Sequence, residues 1–326
     1  MLNSTIEKAY SVLETGIGID EKTANELINL EGGDIMDLLS LANKVTRKFS
    51  NDIHSCSIVN AKSGVCRENC RFCAQSAHYD VDIETYDLLQ PETILEKAKE
   101  AKAGGVDHFG IVTSGTGYKH DGEDFKQILK AIDMIKSNIP GMNVCASLGI
   151  LDNEACKLLA ERGIAHYNIN LQVTPERFED LIATTHPIEK KIETVKSLQK
   201  NGLSVCCGGI LGVGESLEDR VTLAFTLKEL NVTVIPLNVL VAIKGTPLEN
   251  QKPCTAAEVA KTFAVFRLIN PTKIIKFAAG RETVMRDFQG LLMLSGANGM
   301  LTGGYLTTRG REMEDDRNLM AQLEEF

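Results

Sequence analysis

A chain of 326 residues with a formal charge of −9 and no basic block is poorly suited to a nucleic-acid groove or an anionic membrane surface, and points to a small-molecule partner. No apolar run approaches the roughly 18 to 20 residues of a membrane span, and residues 1–50 are acidic throughout where a secretory leader would be basic, then apolar; a soluble, cytoplasmic protein is expected. In such a reduced setting, nine cysteines speak for metal or redox chemistry rather than disulfides.

In chain order, residues 4–13, 20–30 and 35–49 carry apolar side chains at helical spacing and predict a helical preface. From residue 54 onward, short strand-like runs at 54–59, 108–113, 143–149, 166–172, 204–210, 232–241, 273–280 and 297–304 alternate with helical stretches at 91–103, 125–137, 153–162, 188–201, 217–230 and 256–269. Strands that alternate with amphipathic helices are parallel strands joined by crossovers, and eight such units define a (β/α)8 TIM-type barrel, an α/β fold. The expected organisation is a helical N-terminal extension over 1–50, a barrel over 51–310, and a C-terminal tail or last short helix over 311–326.

Cys66, Cys70 and Cys73 stand as CRENCRFC just after the first strand, on a loop at the C-terminal mouth of the barrel, where the active sites of such barrels sit. A structural zinc site wants four ligands, and no fourth Cys or His lies at zinc spacing. Three thiolates on a cubane of four irons leave one iron open to bind substrate, and soft donors suit such clusters. The spacing resembles the signature of the radical S-adenosylmethionine superfamily. That resemblance implies a 4Fe-4S cluster on Cys66, Cys70 and Cys73 that chelates and cleaves S-adenosylmethionine to a 5′-deoxyadenosyl radical. It implies an adenosine-binding strand end at Gly208 through Glu215, with Gly212 and Glu215 in it, and a hold on the methionine end at Thr113, Ser114 and Gly115.

The stretches AKSGVCRENCRFCAQSAHY (61–79), VCASLG (144–149), YNINL (167–171), VCCGGILGVGE (205–215), PLNVLVAIKGTPL (236–248), FAAGRE (277–282) and GAN (296–298) are similar to the biotin synthases within that superfamily. The family inserts sulfur between two unactivated carbons of dethiobiotin, draws electrons from a donor such as flavodoxin or ferredoxin, and is commonly homodimeric. Asn168 and Asn170 share one face of the fourth strand and Asn238 lies in the sixth. Asn is disfavoured in strands, and inward amides are costly to leave unpaired. Asn168 and Asn238 therefore suit the paired N–H and C=O groups of a cyclic urea, the alternative being a buried amide network with water. The resemblance places Asn170 and Gln172 near the cofactor ribose.

The chain departs from the family at its second cluster, usually of two irons held by three cysteines and an arginine. Cys145, Cys206 and Arg281 are read as matching positions, but Gly110 stands in HFGIVTSG where the family has its remaining cysteine, and Cys56 is new in the first strand. Cys56, Cys145, Cys206 and Arg281 fall on or at the ends of strands one, three, five and seven, and alternate strands supply one interior layer of such a barrel. The expectation is an auxiliary cluster on Cys56, Cys145 and Cys206, four-iron rather than two-iron, with its open iron carrying the sulfur and Arg281 a ligand or a cationic neighbour. Gln172 and His186 replace an Asp and an Arg near the cofactor and so remove charge. Cys156, Cys207 and Cys254 read as structural. Two competing functions are a barrel relative without sulfur insertion, such as a hydrogenase maturase or a methylornithine-forming enzyme, and a non-catalytic iron–sulfur carrier.

Overall fold

The computed structural model describes residues 2–307, 310–323 and 325. Eight parallel strands close on themselves: β1 (His54–Lys62), β2 (His108–Thr113), β3 (Asn143–Ser147), β4 (His166–Asn168), β5 in two pieces (Val205–Cys206 and Gly209–Leu211), β6 (Val234–Val239), β7 (Ile274–Phe277) and β8 (Gly299–Leu301), with β8 pairing both β7 and β1. The architecture is the expected (β/α)8 barrel. Its strands read as apolar runs because helices cover their outer face while side chains fill the inner one.

Four helices precede the barrel: α1 (Ser4–Ala9), α2 (Ser11–Thr15), α3 (Glu21–Ile28) and α4 (Asp34–Phe49). The main crossovers are α5 (Pro91–Ala103), α6 (Glu123–Asn138), α7 (Asn153–Glu161), α8 (Ile188–Lys200), α9 (Leu217–Glu229), α10 (Ala256–Ile269) and α11 (Gln289–Leu294). Proline opens α5 with its missing N–H in the first turn, and Thr255 with Glu258 closes a capping box on α10. Every residue of α10 from Val259 onward is buried, because α4 and α3 pack on the side that a surface helix would leave to water. Its Arg267 donates to Gly296 O, Asn298 Oδ1 and Lys273 O at 2.7–2.8 Å, fixing the entry to β8.

The chain end forms α12 (Met313–Leu323). Its Asp316 is 2 % exposed and receives two hydrogen bonds from Arg281 Nη2, at 2.9 and 2.7 Å. The last helix is thus tied to the barrel through a buried ion pair.

Candidate active site

The loop after β1 carries Cys66, Cys70 and Cys73 and is folded by its own backbone: Cys66 N–H donates to Gln75 O, Ala77 N–H to Cys66 O and Cys73 N–H to Cys70 O. The three thiols lie close enough to interact electrostatically, and burial pushes Cys70 up to about 12. All nine cysteines are free, and among the described residues no three His, Cys, Asp or Glu side chains converge on a single metal ion. Neighbouring thiols that do not meet at one point fit a cluster whose irons occupy separate corners. Binding a cluster must displace the thiol protons.

Glu68, inside the cysteine loop, anchors it. Its carboxylate accepts from Thr116 Oγ1, from Thr185 Oγ1 and, at 2.7 Å, from His186 Nδ1. Burial opposes its charge, yet these hydrogen bonds hold the carboxyl below its ordinary range. His186 packs edge-on against Phe178, over whose ring Lys191 Nζ lies at 5.1 Å. Lys191 is a cation near Cys70 and Cys73, lowered by burial, that donates to Asn170 O at 3.0 Å. No motif announces Glu68 or Lys191; their partners are distant in sequence.

A cavity of about 360 Å³ runs down the barrel axis from Phe72, Cys73 and Gln75 to Cys56, Cys145, Cys206, His166 and Lys276. Asn168, Asn170, Gln172 and Asn238 line it between these ends. Asn168 Nδ2 donates to Asn170 Oδ1 at 3.2 Å and to Cys206 Sγ at 3.3 Å, and Asn238 bridges Gly209 O and Ala279 N–H at 3.2 Å each. These amides brace strand edges and also face the cavity. Gln172 sits at φ 77, a left-handed conformation uncommon outside glycine. β5 breaks beside it because Gly208 and Gly209 approach their neighbours too closely for a side chain: a Cβ on Gly208 would lie 1.9 Å from Pro236 O.

The other positions expected at the cofactor lie beside this cavity rather than on its wall. Ser114 Oγ donates to Gly64 O at 2.8 Å, joining the end of β2, with Thr113 and Gly115, to the cysteine loop. Gly212 N–H and Val213 N–H donate to the two oxygens of Glu215 at 2.8 Å each, and Arg220 Nε reaches the same carboxylate at 2.8 Å. Glu215 therefore spends its oxygens holding the Gly212 turn, with Cys254 Sγ accepting from Arg220 Nη2 at 3.3 Å.

The cysteine layer differs from the expected set in its cation. Cys56 on β1, Cys145 on β3 and Cys206 on β5 meet Lys276 on β7, one residue from each alternate strand, as an interior layer requires. Arg281 does not belong to it. Gly280, at φ 89 with its Cα packed under Val239 O, turns the chain out of the barrel, and Arg281 opens a short helix. There its guanidinium pairs with Asp316 at 2.7 Å and Glu282 at 3.1 Å, and lies over Phe277. Period-two alternation in IIKF, with Ile275 and Phe277 in the outer core and Lys276 inward, carried the signal for Lys276. Burial opposes the Lys276 charge, but Cys56, Cys206 and Cys145 outweigh it and raise the ammonium above its usual value. Burial likewise pushes the Cys145 and Cys206 thiols up. Gly110 faces the same space, where a Cβ would meet Ile58 Cγ2 at 3.0 Å, so Ile58 fills part of the room that a cysteine there would need. Cys156 and Cys207 are buried in the outer core.

Three thiols on the loop after the first strand of a (β/α)8 barrel, above an axial cavity, define a radical S-adenosylmethionine barrel. Residues 61–227 match the Radical SAM superfamily, and residues 236–324 match the Biotin and Thiamin Synthesis associated domain. The barrel superposes on methylornithine synthase with a TM-score of 0.83 at 18 % identity, covering 96 % of each chain, and on the FeFe-hydrogenase maturase HydG of Carboxydothermus hydrogenoformans at 0.78 and 16 %, covering 97 % of this chain and 78 % of that one. At such identities the likeness is one of fold. Sequence carries the distinction: the chain is 57 % identical to the biotin synthase of Pelodictyon phaeoclathratiforme and 58 % identical to that of Chlorobium luteolum, each over all of this chain and 98 % of the relative. It belongs to the biotin synthase family. Among the described residues no helix is long and apolar enough to cross a membrane.

Proposed function

We propose that this enzyme converts dethiobiotin to biotin with two iron–sulfur clusters, the first on Cys66, Cys70 and Cys73 and the second, a four-iron cluster, on Cys56, Cys145 and Cys206. When bound, the first supplies the electron that cleaves S-adenosylmethionine and the second supplies the sulfur. The observation that carries the second assignment is the layer of three cavity-facing thiols closed by the Lys276 ammonium. Thiolates bound to iron leave net negative charge in a dry barrel, and Lys276 offsets it without leaving its strand.

The chain's own groups supply the rest. Glu68 and its three donors hold the cysteine loop against β2 and the segment before α8. Gln172 and Asn170 present polar edges beside the flat Gly208–Gly209 backbone, where an adenosine can lie, and Glu215 keeps the Gly212 turn in shape from behind. Asn168, hydrogen-bonded to Cys206, and Asn238, two strands further round the barrel on β6, offer amides to the ureido group of the substrate, with its reacting carbons toward the cysteine layer. The apolar wall, with Ile58, Val112 and Ile210 in it, excludes water from the reacting atoms. A flavodoxin or ferredoxin as electron donor, a homodimeric assembly and a cytoplasmic site complete the proposal.

Iron and sulfide counts with Mössbauer spectra of the anaerobically reconstituted protein test the assignment. Two four-iron clusters are expected, with the second absent from Cys56→Ala. A two-iron second cluster, or full iron in that variant, overturns it. Deoxyadenosine formed from dethiobiotin reactions without biotin would overturn the substrate.

A further inference from the structure

The lower end of a (β/α)8 barrel is ordinarily plugged by branched aliphatic side chains. Here the inward positions that open β1, β2 and β4 are His54, His108 and His166, each two residues before a cavity-lining position: Cys56, Gly110 and Asn168. Their rings form a row, with centroids 6.3 Å apart from His54 to His108 and 5.6 Å from His108 to His166. Nδ1 of His108 and of His166 is buried and has no hydrogen-bond partner. His166 pairs in register with Cys145 and lines the cavity, while all three side chains are only partly buried. A row of imidazoles from β1, β2 and β4 therefore lines the lower end of the barrel, with His108 in register with Cys56 and His166 with Cys145.

The radical and binding chemistry uses none of the three. The upper mouth is where cofactor and substrate enter, and a cluster that gives up sulfur must be refilled. Lys276 is the sole Asp, Glu, Lys or Arg among the residues lining the cavity, so no carboxylate on the wall repels a small anion on its way to the ammonium. Unsatisfied ring nitrogens offer hydrogen bonds on the way. Of the acids near the row, Asp52 and Asp107 are both exposed, and Asp107 lies 3.8 Å from Lys102, so screening weakens their reach.

We propose that the floor of His54, His108 and His166 is the entrance by which hydrosulfide reaches the cysteine layer from the N-terminal end of the barrel. The proposal rests on a sulfur-donating cluster at Cys56, Cys145 and Cys206. The floor only passes the ion; no bond is made or broken there.

The test uses holoenzyme whose second cluster is spent in a single turnover and then supplied with isotope-labelled hydrosulfide and ferrous iron. Return of label to protein-bound sulfide is followed by mass spectrometry, with Mössbauer spectra of both clusters. In wild type the return is expected to proceed unslowed when S-adenosylmethionine and dethiobiotin saturate the upper mouth. His108→Phe, which plugs the floor, slows it several-fold and His108→Ala, which opens it, speeds it, while the first cluster's spectrum stays unchanged. A merely structural histidine would move both variants the same way. Return blocked by the occupied mouth, equal in all variants, or slowed in both overturns the entrance while leaving the cluster assignment standing. A plug that slows labelled iron but not labelled sulfide also overturns it. Absence of any second cluster before turnover overturns the assignment and the entrance with it.

Discussion

Lys276 and Cys56 face one another inside the barrel, and the Lys276 ammonium is the cation that also acts on Cys145 and Cys206. A buried ammonium beside three thiols is stable only while those thiols, or iron on them, supply negative charge. Replacing Lys276 with Met should cost the protein roughly half of its bound iron, one four-iron cluster of two, and leave the first cluster intact. Lys276→Arg should retain most of it. Iron analysis with Mössbauer spectra reads both, and undiminished iron in Lys276→Met would sink the charge-balance argument.

Arg281 makes the opposite prediction. Its partner Asp316 is buried in α12 and would keep only Thr302 and Arg311, at 2.7 and 3.5 Å, so Arg281→Ala should destabilise the protein by about 3 kcal/mol in denaturant unfolding. The second cluster's spectrum should be unchanged in whatever folds. Arg281→Met with Asp316→Leu removes both charges and should recover part of the loss, since Gln289, Glu282, Thr302 and Arg311 keep polar groups beside the pair.

Much of this was written locally. The bounds of β2, α5 and α10 coincide with those expected for their segments, because each apolar stretch is ended by a Gly, Asn or loop residue and α10 also opens on a capping box. The cysteine loop was legible for a different reason: ligand spacing within eight residues needs no tertiary information. What was not legible depends on contacts between remote segments. The layer's cation was sought just beyond the end of β7, at Arg281, when alternation within the strand selects Lys276. The buried role of α12 depends on one acid, Asp316, in a run of exposed charges. Glu68 meets Thr185 and His186 across 117 and 118 residues, with no local pattern to reveal it.

Stability of the metal-free protein should fall on mild acidification. Burial lowers His54, His108 and His166, and the last is brought down to about 4. Between that value and the ordinary 6.5 the unfolded chain binds more protons than the folded one, so the stability present above about pH 6.5 is lost as pH falls toward 4. Carboxylates held low, such as Glu68, act with the same sign but only below about pH 4.5. Urea midpoints of reduced protein should drop between about pH 7 and pH 5, and His166→Gln should flatten that slope. A slope unchanged by the substitution would show that His166 is protonated alike in both states.

Gln172 sets stability against binding. Its φ of 77 costs a non-glycine residue about 1 kcal/mol, and the strain is maintained by Gln172 N–H on Gly208 O and Ile210 N–H on Gln172 O. Its side chain meanwhile faces the cavity beside Asn170. Gln172→Gly should therefore unfold at higher denaturant while binding S-adenosylmethionine more weakly, because relief of the backbone comes with loss of the amide. Gln172→Ala keeps the strain and loses the amide, and should weaken binding without the gain in stability. Calorimetric titration of the cofactor alongside unfolding curves separates the two effects, and equal binding in all three proteins would remove Gln172 from the cofactor site.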